Sequence, residues 1–128
     1  MTHPADTGLP LSQFRKIEIV VHAEDRQAVE QLLAAAGVGG WTMLRDVAGM
    51  GHRGFHQGRT IFNDQSGLLM FIGVADAGAV AEAARGLARL FAHRPGVTFL
   101  SDVAVMRSDY FAQSGNAAAA GAKAAVAP

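Results

Sequence analysis

The apolar residues of the chain fall into short alternating runs and longer runs with helical spacing. The first alternating run places Ile17, Ile19 and Val21 on one face and polar residues on the other, which is typical of a half-buried strand. Three later runs have comparable length and β-branched or aromatic content. Strands are therefore predicted at Phe14–Val21, Trp41–Val47, Leu68–Val74 and Val97–Met106.

Two segments between these strands carry apolar residues at helical spacing. The first follows Asp25, a candidate N-cap, and ends at Gly37, which suits the left-handed position after a helix. The second follows Asp76, another candidate N-cap, and ends before Pro95 and Gly96. Both segments are predicted to be amphipathic helices.

The predicted order of elements is β-α-β-β-α-β, which is the ferredoxin-like arrangement. We therefore expect an α+β fold in which a four-stranded antiparallel sheet has two helices on one face. The third strand is apolar on both faces, so a single domain would expose apolar surface. An oligomer that buries the uncovered face is expected. The alternative is that a terminal segment covers it, although both termini are poor in large apolar residues.

Composition limits the remaining possibilities. Eleven Lys and Arg balance eleven Asp and Glu, which argues against nucleic-acid binding through bulk charge. The chain has no cysteine, so disulfides, thiolate metal sites and cysteine nucleophiles are excluded. The longest apolar run has the length of a strand, so no membrane insertion is expected. The N-terminus has no signal-peptide pattern, and the cytoplasm is the default location.

The two ends of the chain differ from the centre. Residues 1–13 show no periodicity and are expected to be a flexible N-terminal segment, followed by one domain over 14–111. Residues 112–128 include nine alanines among seventeen positions. Alanine favours helix, but this segment has no large apolar face to dock, so a mobile tail is expected.

The connection between the second and third strands, residues 48–66, is the segment with the clearest chemistry. It has four glycines within ten residues, Arg53, Arg59, His52 and His56, and no acidic residue from 48 to 63. Glycine lets backbone N–H groups approach a ligand, and arginine matches phosphate geometry. An anion site is one interpretation. A solvated, disordered hairpin tip fits the composition equally well.

Other site types find less support in this segment. It is neither a Walker A motif nor a Rossmann fingerprint, because no GK[ST] follows and no helix opens after it. His52 and His56 lack a neighbouring carboxylate or third ligand, so no dedicated metal site is expected. The carboxylates of the chain are scattered, and no nucleophile and base come together in the sequence, so catalysis is not expected.

Three short motifs resemble those of PII signalling proteins. They are Gly39-Gly40-Trp41-Thr42-Met43, then Val47-Ala48-Gly49-Met50-Gly51-His52-Arg53-Gly54, and Arg94-Pro95-Gly96-Val97-Thr98-Phe99. The resemblance covers about residues 14–107. It is greatest to the PII-like proteins associated with carboxysomes and bicarbonate transport.

The resemblance implies a homotrimer that binds adenine nucleotides in clefts between subunits and signals to a partner through a T-loop, here about 48–66. It places Thr42 near the adenine, Arg53 near phosphate, and Arg107 in the cleft of the neighbouring subunit. The predicted nucleotide-binding set is Thr42, Gly49, Met50, Gly51, His52, Arg53, Arg59, Arg94, Gly96, Val97 and Arg107.

Departures from the PII pattern narrow the expected ligand. The stretch from His93 to Thr98 is shorter than the lysine-rich B-loop of classical PII proteins and has no lysine, which favours AMP, ADP or a cyclic nucleotide over ATP. The T-loop has no tyrosine for uridylylation and no glutamine in register for 2-oxoglutarate. By analogy, bicarbonate is a second effector, and the partner is a bicarbonate transporter or carboxysome-related protein. The alternative is a small ferredoxin-like enzyme or a metal-binding trimer.

Overall fold

A computed structural model describes residues 8–51, 54–55 and 67–107. The elements, in chain order, are β1 (Ser12–His22), α1 (Arg26–Ala36), β2 (Trp41–Val47), β3 (Met50–Gly51), β4 (Gly54–Phe55), β5 (Leu68–Ala75), α2 (Ala77–Phe91) and β6 (Gly96–Val105). A single 3-10 turn, Ala23–Asp25, joins β1 to α1. The four predicted long strands and both predicted helices are confirmed, with β1 beginning two residues earlier than expected.

The long strands form one antiparallel sheet in the order β2-β5-β1-β6. The central strand β1 pairs with β5, so that Ile17 lies opposite Gly73, and with β6, so that Ile17 also lies opposite Leu100. With the two helices on one face, this is the predicted ferredoxin-like α+β fold.

The core lies between the sheet and the helices. Burial alternates along β5, whose Phe71 is fully buried, and along β1, whose Ile17 and Ile19 are fully buried. From the helices, Val29, Leu33 and Leu87 complete this layer with no exposed surface. Each such side chain stabilises the fold by about 1.5–3 kcal/mol relative to an exposed position.

The opposite face of the sheet carries exposed apolar side chains in the isolated chain. Phe99 is 52% exposed, Leu44 is 44% exposed and Val97 is 43% exposed. Lys16 and Glu18 also lie on this face and form an ion pair of 3.5 Å. The predicted uncovered apolar face is therefore present. None of the described helices is long and apolar enough to cross a membrane.

The two aspartates that precede the helices behave differently. The carboxylate of Asp76 accepts a hydrogen bond from the backbone N–H of Ala79 at 2.9 Å and caps α2 as predicted. Asp25 occupies the N-cap position of α1, but its side chain makes no capping bond. The prediction of a capping side chain at Asp25 is therefore wrong, because the carboxylate is bound elsewhere.

The connection after β2 is partly described. Met50 pairs with Phe55 and Gly51 with Gly54, so β3 and β4 form a short antiparallel hairpin. Residues 52–53 and 56–66 lie outside the described residues, as do the predicted N-terminal segment before residue 8 and the predicted tail 112–128.

Candidate functional site

Thr42 lies on edge strand β2, on the face of the sheet that the helices leave uncovered. It pairs with Ile72, and its side chain is exposed. Its neighbour Trp41 points to the other face and packs edge-on against Phe71, with ring centroids 5.1 Å apart. Trp41 is thus a packing residue, and its contact helps to hold the strand that presents Thr42.

The exit of β2 has an irregular backbone. Pairing between β2 and β5 shifts register between Leu44 and Val47, and Asp46 within this bulge has φ of 56°. A bulge bends and re-aims a strand, and aspartate tolerates the left-handed region better than most residues. The bulge therefore sets the direction in which the chain leaves the sheet toward Gly49 and β3.

The short connection between α2 and β6 is held by ion pairs. Arg94 donates from Nε to both carboxylate oxygens of Asp25, each at 3.1 Å, and from Nη2 to the carboxylate of Glu24. The hydrogen bonds that Arg94 donates, first to Glu24 and then to Asp25, raise the pKa of its guanidinium above the ordinary value. After Pro95, Gly96 and Val97 begin β6, opposite Val21 and Val20 of β1.

The predicted binding residues that the structure describes do not meet within one chain. One end of the sheet contains the end of β2, the start of β5, the end of β1 and the start of β6. The strand pairing shows this, since Val47 pairs with Leu68, Leu68 with His22, and Val21 with Gly96. However, β2 and β6 are the two edges of the sheet, about 14 Å apart across three strand spacings. The segments around Gly49 and Gly96 are therefore separated.

Arg107 lies farther away, at the opposite end of the sheet. It follows Val105, which pairs with Ser12 at the start of β1, whereas Gly96 pairs with Val21 near its end. A strand of that length separates the two ends by about 30 Å. Arg107 itself has φ of 63°, in the left-handed region. One chain thus presents three separate parts of the predicted set.

Three of the predicted residues, His52, Arg53 and Arg59, lie outside the described residues. Glu24 and Asp25, whose carboxylates bind Arg94, are not part of the set that the sequence predicts. Their signal in the sequence was an acidic pair before a helix, which is an ordinary capping pattern. Within 8–51, 54–55 and 67–107, no three histidine or acidic side chains lie together as a ligand set for a metal ion.

Comparison with known proteins decides the family. The model of the family "Nitrogen regulatory protein P-II" matches residues 14–110, which spans the whole sheet and both helices. The chain belongs to the nitrogen regulatory protein P-II family. Members of this family are signalling proteins that form trimers and bind nucleotides.

Solved PII structures place the chain within this family. It is 29% identical, with a TM-score of 0.70, to CPII, a nitrogen regulatory PII-like protein from Thiomonas intermedia K12 bound to ADP, AMP and bicarbonate, covering 77% of this chain and 93% of that one. A second CPII structure, with ADP, AMP and acetate, is 27% identical, with a TM-score of 0.66, covering 80% and 97%.

A more distant PII structure shares the fold alone. The GlnK–ATP complex of B. subtilis is 18% identical, with a TM-score of 0.51, covering 71% of this chain and 82% of that one. No curated protein matches the sequence. The similarity is thus greater to PII-like proteins of the CPII type than to this GlnK, in agreement with the resemblance found in the sequence motifs.

Proposed function

We propose that this chain is a PII-like regulatory protein that binds ADP or AMP in clefts between the subunits of a homotrimer. Bicarbonate acts as a second effector, and the T-loop at about 48–66 transmits the bound state to a protein of inorganic-carbon uptake or of the carboxysome. Catalysis has no part in this function. The carrying observation is the similarity to CPII, crystallised with ADP, AMP and bicarbonate, over 93% of that chain.

The position of the binding residues supports a cleft between subunits. Within one chain the segments near Gly49 and Gly96 lie on opposite edges of the sheet, and Arg107 lies at its other end. A nucleotide that needs all three can contact them together only if different subunits supply them. The exposed apolar face, with Phe99 at 52%, provides the surface through which subunits associate.

The ligand class follows from charge and size. A ligand with a micromolar dissociation constant needs about 8 kcal/mol of net binding free energy. Each charge-assisted hydrogen bond contributes about 1.5–3 kcal/mol of it. Two arginines are insufficient for a small anion at that affinity, whereas a nucleotide adds a base that buries apolar surface. The stretch from His93 to Thr98 offers no lysine for a third phosphate, which favours ADP and AMP over ATP.

The proposed response to bicarbonate uses the same donors. Bicarbonate is a planar anion that arginine and backbone N–H groups bind well. In CPII it was crystallised together with ADP. A bound nucleotide and bicarbonate would together stabilise one arrangement of the T-loop, which the partner protein recognises.

Calorimetry with the full chain tests the proposal. We expect one saturable site per subunit for ADP and AMP, weaker binding of ATP and cyclic AMP, and tighter nucleotide binding when bicarbonate is present. Guanine nucleotides serve as the matched control for base recognition. Binding that is indifferent to bicarbonate would remove the link to carbon uptake, and absence of binding by every adenine nucleotide would overturn the nucleotide-sensor function.

A further inference from the structure

The turn between β1 and α1, Ala23–Asp25, contacts two segments that are far apart in sequence. On one side, the carboxylates of Glu24 and Asp25 accept the hydrogen bonds of Arg94, in the connection between α2 and β6. On the other side, the backbone N–H of Ala23 donates to the carbonyl oxygen of Gly67 at 2.7 Å. Gly67 directly precedes β5, where the chain returns from the T-loop.

Asp25 has a burial that sets it apart from an ordinary surface acid. Asp25 is buried, with 9% of its surface exposed, and no other charged side chain among the described residues is buried to this extent. It stands at the N-cap position of α1 without making the capping bond that this position offers. A buried carboxylate requires a partner, and the Arg94 guanidinium supplies it. The ion pair of Asp25 with Arg94 therefore joins the turn Ala23–Asp25 to the connection between α2 and β6.

The contact holds Arg94 itself in a fixed orientation. Nε points at both oxygens of Asp25, and Nη2 points at Glu24, so the guanidinium is bonded on two sides. Arg94 is followed in the chain by Gly96 and Val97, which are predicted to contribute to the nucleotide cleft. Gly67 is held from the same turn.

We propose that Glu24 and Asp25 are positioning residues for nucleotide binding. Through Arg94 they hold the α2–β6 connection against the turn Ala23–Asp25. The same turn also holds Gly67, where the chain returns from the T-loop. In this assignment, which rests on the proposed function, Arg94 acts by placing Gly96 and Val97 and not by contacting phosphate. Because the turn Ala23–Asp25 contacts both the α2–β6 connection and Gly67, a displacement of one of these segments is transmitted to the other.

A double-mutant cycle on the full chain separates positioning from phosphate contact. The variants are Asp25→Asn, Arg94→Gln, Arg94→Lys and the double variant Asp25→Asn/Arg94→Gln, with calorimetry for ADP and AMP. We expect each single variant to lower the affinity for ADP and for AMP by a similar factor, about tenfold. The affinity of the double variant should be no lower than that of the single variant with the larger loss. Arg94→Lys keeps the charge but loses the forked geometry, so it should behave as Arg94→Gln.

The matched control is Glu82→Gln. It removes an arginine–carboxylate pair, Glu82 with Arg85 at 3.0 Å, from the exposed surface of α2, and nucleotide affinity should not change. Thermal unfolding of every variant reports whether the chain still folds. Hydrogen exchange without nucleotide supplies a second measurement: Asp25→Asn should raise exchange at the backbone amides of Gly96 and Val97.

The outcomes are distinct. If Arg94→Gln weakens ADP far more than AMP while Asp25→Asn leaves both unchanged, Arg94 is a phosphate ligand and the positioning role is overturned. Unaltered exchange at Gly96 and Val97 in Asp25→Asn overturns it as well. If the wild-type chain binds neither nucleotide, the proposed function fails first, and the positioning role for nucleotide binding falls with it.

Discussion

Gly96 lies against the ring of Phe91 so closely that a Cβ atom on Gly96 would be 2.3 Å from the ring carbon Cε1. Phe91 is the last residue of α2, and Gly96 is the first residue of β6. The close approach requires glycine because of space, since Gly96 has no positive φ. The end of the helix thus packs directly on the start of the strand that carries Val97.

The first prediction is that Gly96→Ala destabilises the fold by about 1–3 kcal/mol, the usual cost of overpacking, and weakens ADP and AMP binding. Chemical denaturation and calorimetry measure the two effects. Gly40→Ala is the matched control, because no atom lies within 4 Å of a Cβ at that position.

A rescue variant tests the cause of this effect. Phe91→Leu removes the ring that the new methyl group meets, so Phe91→Leu/Gly96→Ala should be more stable than the sum of the two single changes predicts. Additive effects in the cycle, or equal stability of Gly96→Ala and Gly40→Ala, would show that the contact with Phe91 does not decide the requirement for glycine.

The second prediction concerns the core. Phe71→Ala removes a fully buried ring and should lower the free energy of unfolding by about 3–5 kcal/mol. Trp41 is the single tryptophan and packs on Phe71, so its fluorescence reports the transition and should already be altered in the folded variant. Leu9→Ala, at a position that is 50% exposed, should change stability by less than about 0.5 kcal/mol.

These measurements must be made at one protein concentration, because the stability of a trimer depends on it. An unchanged unfolding transition for Phe71→Ala would contradict the burial of Phe71 in the core. An unchanged emission spectrum of Trp41 in that variant would contradict the edge-on packing of the two rings.

The fold could be predicted because its signals are local. Gly37 adopts φ of 96° after α1 as a left-handed residue should, and the Asp76 side chain bonds to the N–H three residues later. Alternation along β1 assigned its two faces correctly, since Ile17, Ile19 and Val21 are all buried in the core.

The site could be predicted only in part, because its contacts are not local. Asp25 has its partner, Arg94, 69 residues away, and a pattern read over one helical turn shows only a capping residue. The separation of Gly49, Gly96 and Arg107 also follows from strand order and not from spacing along the sequence. His52, Arg53 and Arg59 are predictions from the sequence and the family resemblance.

The third prediction concerns the uncovered face of the sheet. Phe99 and Leu100 are neighbours on β6, exposed by 52% and 39%, and they lie on opposite faces because Leu100 pairs with the core residue Ile17. Phe99→Glu should dissociate the trimer in sedimentation velocity, since it places a charge in the subunit interface. Leu100→Glu should leave the trimer intact. Equal behaviour of the two variants would mean that subunits do not associate through this face.

The fourth prediction tests whether the site is shared between subunits. Arg53→Ala and Arg107→Ala should each weaken ADP about tenfold to hundredfold without unfolding the chain, the effect of losing one charge-assisted hydrogen bond of about 1.5–3 kcal/mol. Arg85→Ala, on the outer surface of α2, is the control and should bind normally, because its guanidinium bonds to Glu82 of the same helix.

Mixed trimers then separate the two possible arrangements. If Arg53 and Arg107 reach one nucleotide from neighbouring subunits, trimers assembled from equal amounts of the two variants regain full affinity at about a quarter of their sites, where an intact Arg53 faces an intact Arg107. If both arginines act within one subunit, every site in the mixture lacks one of them, and no tight site returns. Calorimetry of the co-expressed variants counts the tight sites, and a count of zero would refute the shared cleft.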